Sequence, residues 1–345
     1  MSGDLAERRA RRVRVDSSSP ALFGLFLILG FTITSPALGT CGSSTCFLVT
    51  GTQEGTSAAH SLRIDLSFRY VDQSRRLSGT KRVSEVITPG VNFEEGTLEP
   101  GHHREISTRS ALTEIDLSYG VTERLSVVGS LPLFTEKDHE HFDDVGTPEE
   151  HFSGTDGSRG FGDVQVGARY GFLVRPKTIL LGGLVVKMPT GDYRRLDSQG
   201  SISEPGIQPG TGSSDFIGSL GYSYHPFPSP SEWFASASYR ANGENNLRYR
   251  MGDEAVVSTG LRCEAGSKLI WSAQLNVRHT QRDRFHGGDV PSTGATYLNV
   301  TPGVTFKASA ETSLYGFVQV LLHQRVNEEQ LAPRSGFVVG VSRIF

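Results

Sequence analysis

The sequence predicts an all-β chain closed into an antiparallel transmembrane β-barrel of about twelve strands. Three observations predict it. Polar and apolar side chains alternate over segments of roughly ten residues, the length a tilted strand needs to cross a bilayer. The connections between those segments alternate between short and long. Charges gather on one face of segments whose other face is apolar, an arrangement too costly for a soluble core. In "GFGDVQVGARYGF" (160–172), for example, Val164, Val166, Ala168, Tyr170 and Phe172 share one face, and Asp163, Gln165 and Arg169 the other. Composition fits: 40 Gly, 3 Met, and a net charge of -3 that leaves no basic footprint for nucleic acid.

From the start of the chain, Arg8, Arg9, Arg11, Arg12 and Arg14 precede an apolar run over 21–34 and small residues around Ala37 and Gly39. Residues 1–39 therefore read as a cleaved secretory signal peptide. The run is shorter than the roughly 20 residues of a spanning helix. Residues 40–60 form a periplasmic segment that could serve as a plug in the barrel. Within it Cys41 and Cys46, exported to an oxidising compartment, are expected to close a small disulfide loop.

The barrel domain is expected over 61–345. Alternation places strands near 61–71, 111–119, 124–133, 160–172, 178–189, 213–225, 232–242, 253–264, 268–279, 295–307, 311–322 and 335–345. Short connections carry Gly, Pro or Ser, as in "GVTER" (120–124), "AGSK" (265–268) and "ASAE" (308–311). Long ones fall at 72–110, 134–159, 190–212, 243–252, 280–294 and 323–334. Short periplasmic turns facing long external loops are the barrel asymmetry, and both termini fall on the short side.

The first strand sets Leu62, Ile64, Leu66, Phe68 and Tyr70 toward lipid, with Arg63, Asp65 and Arg69 opposite. Likewise Ile115, Leu117 and Tyr119 oppose Glu114 and Asp116. The expected lumen-lining set is Arg63, Asp65, Arg69, Glu114, Asp116, Asp163, Arg169, Arg240, Arg262 and Arg278. Mixed signs there favour polar or zwitterionic solutes. "TILLGGLVVKMPTG" is apolar on both faces, so its register and the side of Lys187 cannot be read. Cys263 falls in an apolar row with Val257 and Leu261, as an inert side chain. The last strand, "GFVVGVSRIF", ends in Phe345, which resembles the assembly signal of bacterial outer-membrane barrels. The expected partners are therefore outer-membrane lipid and lipopolysaccharide, the barrel-assembly machinery and a small solute, in a Gram-negative outer membrane.

The blocks "GFGDVQVGARYGF" (160–172), "GGLVVKMPTGDY" (182–193) and "GTGSSDFIGSLGYSY" (210–224) resemble the MetA-pathway of phenol degradation family of outer-membrane transporter-like proteins. The resemblance is strongest over 160–225, with Pro-Thr-Gly-Asp its most specific element. It implies an outer-membrane channel, linked in some relatives to aromatic-compound catabolism, and brings no catalytic residue.

In "EKDHEHFDDVGTPEEHF" (136–152), His139, His141 and His151 stand among carboxylates, a donor set suited to Zn²⁺ or Cu²⁺. His102 and His103 belong to the neighbouring long connection. A divalent cation at loop 136–152 is the single cofactor expectation; a solvated acidic loop is the alternative. "TGSSDF" lacks the GxSxG elbow and no P-loop lysine follows "GTGSSDFIG", so no enzyme is expected. The expected function is passive passage of a small solute. The alternatives are a non-conducting structural or metal-binding barrel and, more distantly, a barrel-embedded hydrolase.

Overall fold

In the computed structural model, which describes residues 56–154, 157–226 and 229–345, the alternating segments form twelve barrel strands. They are β1 (Leu62–Gln73), β2 (Thr97–Gly120), β3 (Leu125–Asp143), β4 (Gln165–Arg175), β5 (Thr178–Lys187) and β6 (Asp215–Tyr224). The others are β7 (Ser231–Ala241), β8 (Glu254–Ala265), β9 (Leu269–Thr280), β10 (Ala295–Lys307), β11 (Thr312–Val326) and β12 (Ser335–Ile344). Each pairs antiparallel with the next, and β12 pairs with β1 from Ile344 opposite Arg63 to Ser335 opposite Asp72. The sheet is thereby closed and leaves no unpaired edge, which spanning a bilayer with strands demands. The expected leader, the expected Cys41–Cys46 disulfide and most of the 40–60 segment lie outside the described residues.

The side-chain rows are inverted relative to a soluble protein. Leu66, Phe68, Val127, Tyr170, Leu184, Leu220, Trp233, Leu275, Leu314 and Val339 are exposed on the outer wall. Asp65, Glu114, Asp116, Ser258, Asn276, Arg278 and Thr301 are buried on the inner one. The ambiguous strand β5 resolves the same way: Leu180 and Leu184 face out, whereas Lys187 is buried.

Two differences from the sequence expectation have physical causes. First, β2 and β3 run well into the connections expected over 72–110 and 134–159. Beyond the lipid belt neither face of a strand meets acyl chains, so the apolar period that betrays a strand is missing. Leu133 is the extra residue of a bulge that sets Thr113 opposite Phe134 and Glu114 opposite Pro132. A bulge is where a strand tolerates a proline. Second, β4 begins at Gln165 and not at 160. The Asp163 carboxylate there accepts the N–H groups of Gly191 and Thr211, both at 2.9 Å, which draws the chain off the sheet.

At the short-turn end, residues 56–60 enter against the inner wall. The Ser57 N–H donates to Ser126 Oγ (3.0 Å), and its hydroxyl lies 2.8 Å from Ser118 Oγ. Gly120 is required at this crossing, because any Cβ there would collide with the Ala58 carbonyl. At the long-loop end, strand Ile87–Asn92 folds back on β2 as a hairpin. Val91, Phe93 and Leu98 of this hairpin pack on Tyr249, Met251, Phe285 and Val290. Those residues come from the loops after β7 and β9, whose strands stand across the barrel from β2. The hairpin therefore spans the mouth.

Candidate functional site

The inner wall is built from paired charges. Arg69 Nη2 lies 2.9 Å from Glu114 and 3.5 Å from Asp116. Arg278 lies 2.6 Å from Glu254, and Arg262 2.8 Å from Glu232. The Tyr315 hydroxyl donates to Asp65 Oδ1 at 2.5 Å. Arg63, Arg169 and Arg240 are half-buried. Each pair offsets part of its own desolvation, which an unpaired ion could not.

Four aromatic residues that the sequence reading passed over also lie buried inward: Phe234, Tyr297, Tyr315 and Phe317. Arg262 stacks its guanidinium 5.3 Å from the Phe234 ring, and Tyr315 and Phe317 stand 5.6 Å apart. Phe234 shares its face of β7 with Glu232, Ser236 and Arg240, and Tyr297 its face of β10 with Asn299 and Thr301, so each stands in a row that reads as polar, whereas Tyr315 and Phe317 lie on β11, which is largely apolar on both faces. Between the rings and the charges, several inner polar atoms have no protein hydrogen-bond partner among the described residues. They include both amide atoms of Asn299, Gln319 Oε1 and Ser258 Oγ.

One buried knot joins the three blocks that carry the family resemblance. Lys187 Nζ donates to Asp163 Oδ2 (2.8 Å) and to the Ser213 carbonyl (3.0 Å), and also bonds the Thr211 hydroxyl. It lies 2.9 Å from Asp215 Oδ2. Of these residues the sequence places Asp163 alone in the lumen and leaves the side of Lys187 open. A lysine in a two-sided apolar run, followed by Pro-Thr-Gly-Asp, was the available signal.

The histidines gather where β2 and β3 project beyond the outer apolar belt. His103 Nδ1 and His141 Nε2 each lie 2.7 Å from Asp143 Oδ1. His103 Nε2 is 3.1 Å from Glu204, on the loop between β5 and β6. His139 Nε2 is 3.3 Å from Glu105 Oε2, and its Nδ1 is 2.8 Å from Thr108 Oγ1. The rings of His139 and His141 stand 4.5 Å apart. His151, by contrast, sits at the surface, with Nε2 3.6 Å from Asp143 Oδ2. So the structure brings His139 and His141 together with Asp143 of the same segment, sets His151 at the margin, places His102 and His103 alongside, and adds Glu105 and Glu204. The segment expected as a loop is strand through its first half, which is what aims alternate residues inward.

Burial lowers the His139 pKa, so its imidazole is neutral. Burial also opposes charge on His103, but Glu204 and the Asp143 hydrogen bond outweigh it and raise its pKa well above the ordinary value. Asp143 is held low despite burial by hydrogen bonds from His103 and His141. Among the described residues two ligand-like sets occur: His102, His103 and Asp143, and Glu105, His139 and Glu204.

A closed twelve-strand barrel, greasy outside and ionic inside, defines a transmembrane β-barrel of the outer-membrane kind, channel-like in form. A family model described as "Putative MetA-pathway of phenol degradation" matches residues 89–329, and the chain belongs to that family. Among solved structures, the chain is similar to the COG4313 outer membrane channel from Pseudomonas putida F1, with 12% identity and a TM-score of 0.55. That match covers 86% of this chain and 100% of the other. A match to the β domain of the Bordetella autotransporter BrkA has 11% identity, TM-score 0.43, and covers 83% and 100% of the two chains. For the CymD monoaromatic hydrocarbon channel the values are 13%, 0.41, 83% and 88%. No curated protein sequence matches the chain.

Proposed function

We propose that this barrel passes a small solute, of the aromatic class, through the outer membrane without coupling to an energy source. The observation that carries the reading is the inner wall itself. Ion pairs such as Arg69 with Glu114 and Arg278 with Glu254, beside the half-buried Arg63, Arg169 and Arg240, suit a wall around an aqueous bore and not a packed apolar core. Phe234, Tyr297, Tyr315 and Phe317 also turn inward, but each is at most 8% exposed and the last three pack in one apolar cluster with Val71 and Val338, so they brace the wall. Membership of the family supports the solute class. In this reading Arg63, Asp65, Arg69, Glu114, Asp116, Asp163, Arg169, Arg240, Arg262 and Arg278 line the bore, and the projecting end of β2 and β3 lies outside the cell. Phe345 is presented to the assembly machinery on the periplasmic side, where the leader is removed and Cys41 pairs with Cys46.

A second reading, a barrel that does not conduct, is favoured by the hairpin across the mouth. Liposome swelling and planar-bilayer recordings with the folded protein separate the two. The channel reading expects flux of small phenols to exceed that of sugars of equal size. Equal flux for both would remove the aromatic class. Absence of any flux or conductance, with the hairpin present or deleted, would remove the channel.

A further inference from the structure

The root of the mouth hairpin encloses a small cavity of about 70 Å³. Gln73, Glu105, His139, Glu204 and Gln330 are among its lining residues, drawn from β1, β2, β3 and the loops after β5 and β11. Three of the buried polar atoms of these side chains have no hydrogen-bond partner among the described residues: Gln73 Oε1, Glu105 Oε2 and Gln330 Oε1. All three are acceptors. The Gln330 amide cannot be turned to change this, because its Nε2 already donates to the carbonyls of Gly294 (3.0 Å) and Asn327 (3.2 Å). Glu105 Oε1 likewise accepts from the Thr88 hydroxyl at 2.8 Å, which fixes the carboxylate and aims Oε2 at His139. Among the described residues no lysine or arginine forms an ion pair with Glu105 or Glu204. Converging acceptors and two carboxylates that no lysine or arginine neutralises, with only His103 and His139 as basic neighbours, are the surroundings of a cation.

We propose that this cavity is a binding site for one divalent first-row transition-metal ion, ligated by His139 Nε2 and the carboxylates of Glu105 and Glu204. Ligand atoms of the three residues already lie within 4.8 Å of one another. Metal–ligand bonds of about 2.0–2.2 Å bring neighbouring donors to roughly 3–3.5 Å, so Glu204, carried on a loop, closes by about an ångström. Thr108 Oγ1, 2.8 Å from His139 Nδ1, can accept that N–H and leave the Nε2 lone pair for the ion. The imidazole selects a first-row transition metal over Ca²⁺ or Mg²⁺, whereas the oxygen-rich remainder disfavours Cu(I). Bound there, the ion would tie the loop between β5 and β6 to the root of the hairpin that crosses the mouth. The site differs from a cluster of His139, His141 and His151: His151 takes no part and Glu204 comes from a distant segment.

The test uses the full-length folded protein in detergent, stripped with a chelator and titrated with Zn²⁺ against a chromogenic competitor. It reads binding without flux, so it stands apart from the channel reading. One Zn²⁺ per chain is expected. Glu204→Gln, a loop change that leaves the strands intact, should weaken binding about 10–100-fold, and Glu105→Gln at least as much. His151→Ala should bind as the parent does. Heat-modifiable electrophoretic mobility reports folding of each variant. No saturable Zn²⁺ binding, or parent-like affinity in both Glu variants, overturns the proposal. Loss on His102→Ala with Glu204→Gln unaffected would assign the ion to His102, His103 and Asp143 instead and also overturn it. Equal displacement by Ca²⁺ would refute the transition-metal assignment.

Discussion

Lys187 shows what a single residue does in this barrel. It is 3% exposed and held between Asp163 and Asp215, at the point where the chain leaves β5 and enters β6. Removing the ammonium leaves two buried carboxylates without a counterion, a loss of about 3–5 kcal/mol for a broken buried pair. Lys187→Met should therefore lower the unfolding free energy by that order in urea titrations followed by tryptophan fluorescence. The triple variant with Asp163→Asn and Asp215→Asn should recover much of it. A parent-like midpoint for Lys187→Met would mean the knot is solvated and not a closed ion cluster. The sequence displayed Lys187 and hid its role. A strand apolar on both faces has no readable register, and the two partner carboxylates arrive from two different long connections, Asp163 just before β4 and Asp215 at the start of β6.

Elements differ in legibility according to what their faces touch. β1 and β9 were readable because one face meets lipid and the other meets charge, a contrast that survives in the one-dimensional pattern. The outer ends of β2 and β3 were not, since beyond the belt both faces meet water or protein. The outer row also yields an element-scale expectation. Leu184 is 62% exposed on β5. If that row sits in acyl chains, Leu184→Arg costs about 2–4 kcal/mol near the midplane. Ala310→Arg, in the exposed short turn between β10 and β11, should cost almost nothing. Reversible unfolding in lipid vesicles measures both, and equal costs would argue that Leu184 does not face hydrocarbon.

For the whole molecule, closure of the sheet and closure of the mouth are separate facts. The first follows from pairing of β1 with β12. The second rests on Phe93, 5.5 Å from Phe285 and 6.3 Å from Tyr249, so the hairpin is held by aromatic packing across the opening. Replacing residues 89–98 by a short turn should raise single-channel conductance several-fold while leaving heat-modifiable mobility, and hence the barrel, intact. Unchanged conductance in the shortened variant would show that the hairpin does not limit passage.

By itself the sequence determined the class of fold, the number of strands and which face of most strands is apolar. These are local properties: a period of two and a turn signal are written within a dozen residues. Only the tertiary structure decided which charges meet, which aromatic rings turn inward, and that His139, Glu105 and Glu204 share a cavity. Such groupings depend on register between strands and on loops that return from distant parts of the chain, and no local pattern encodes either.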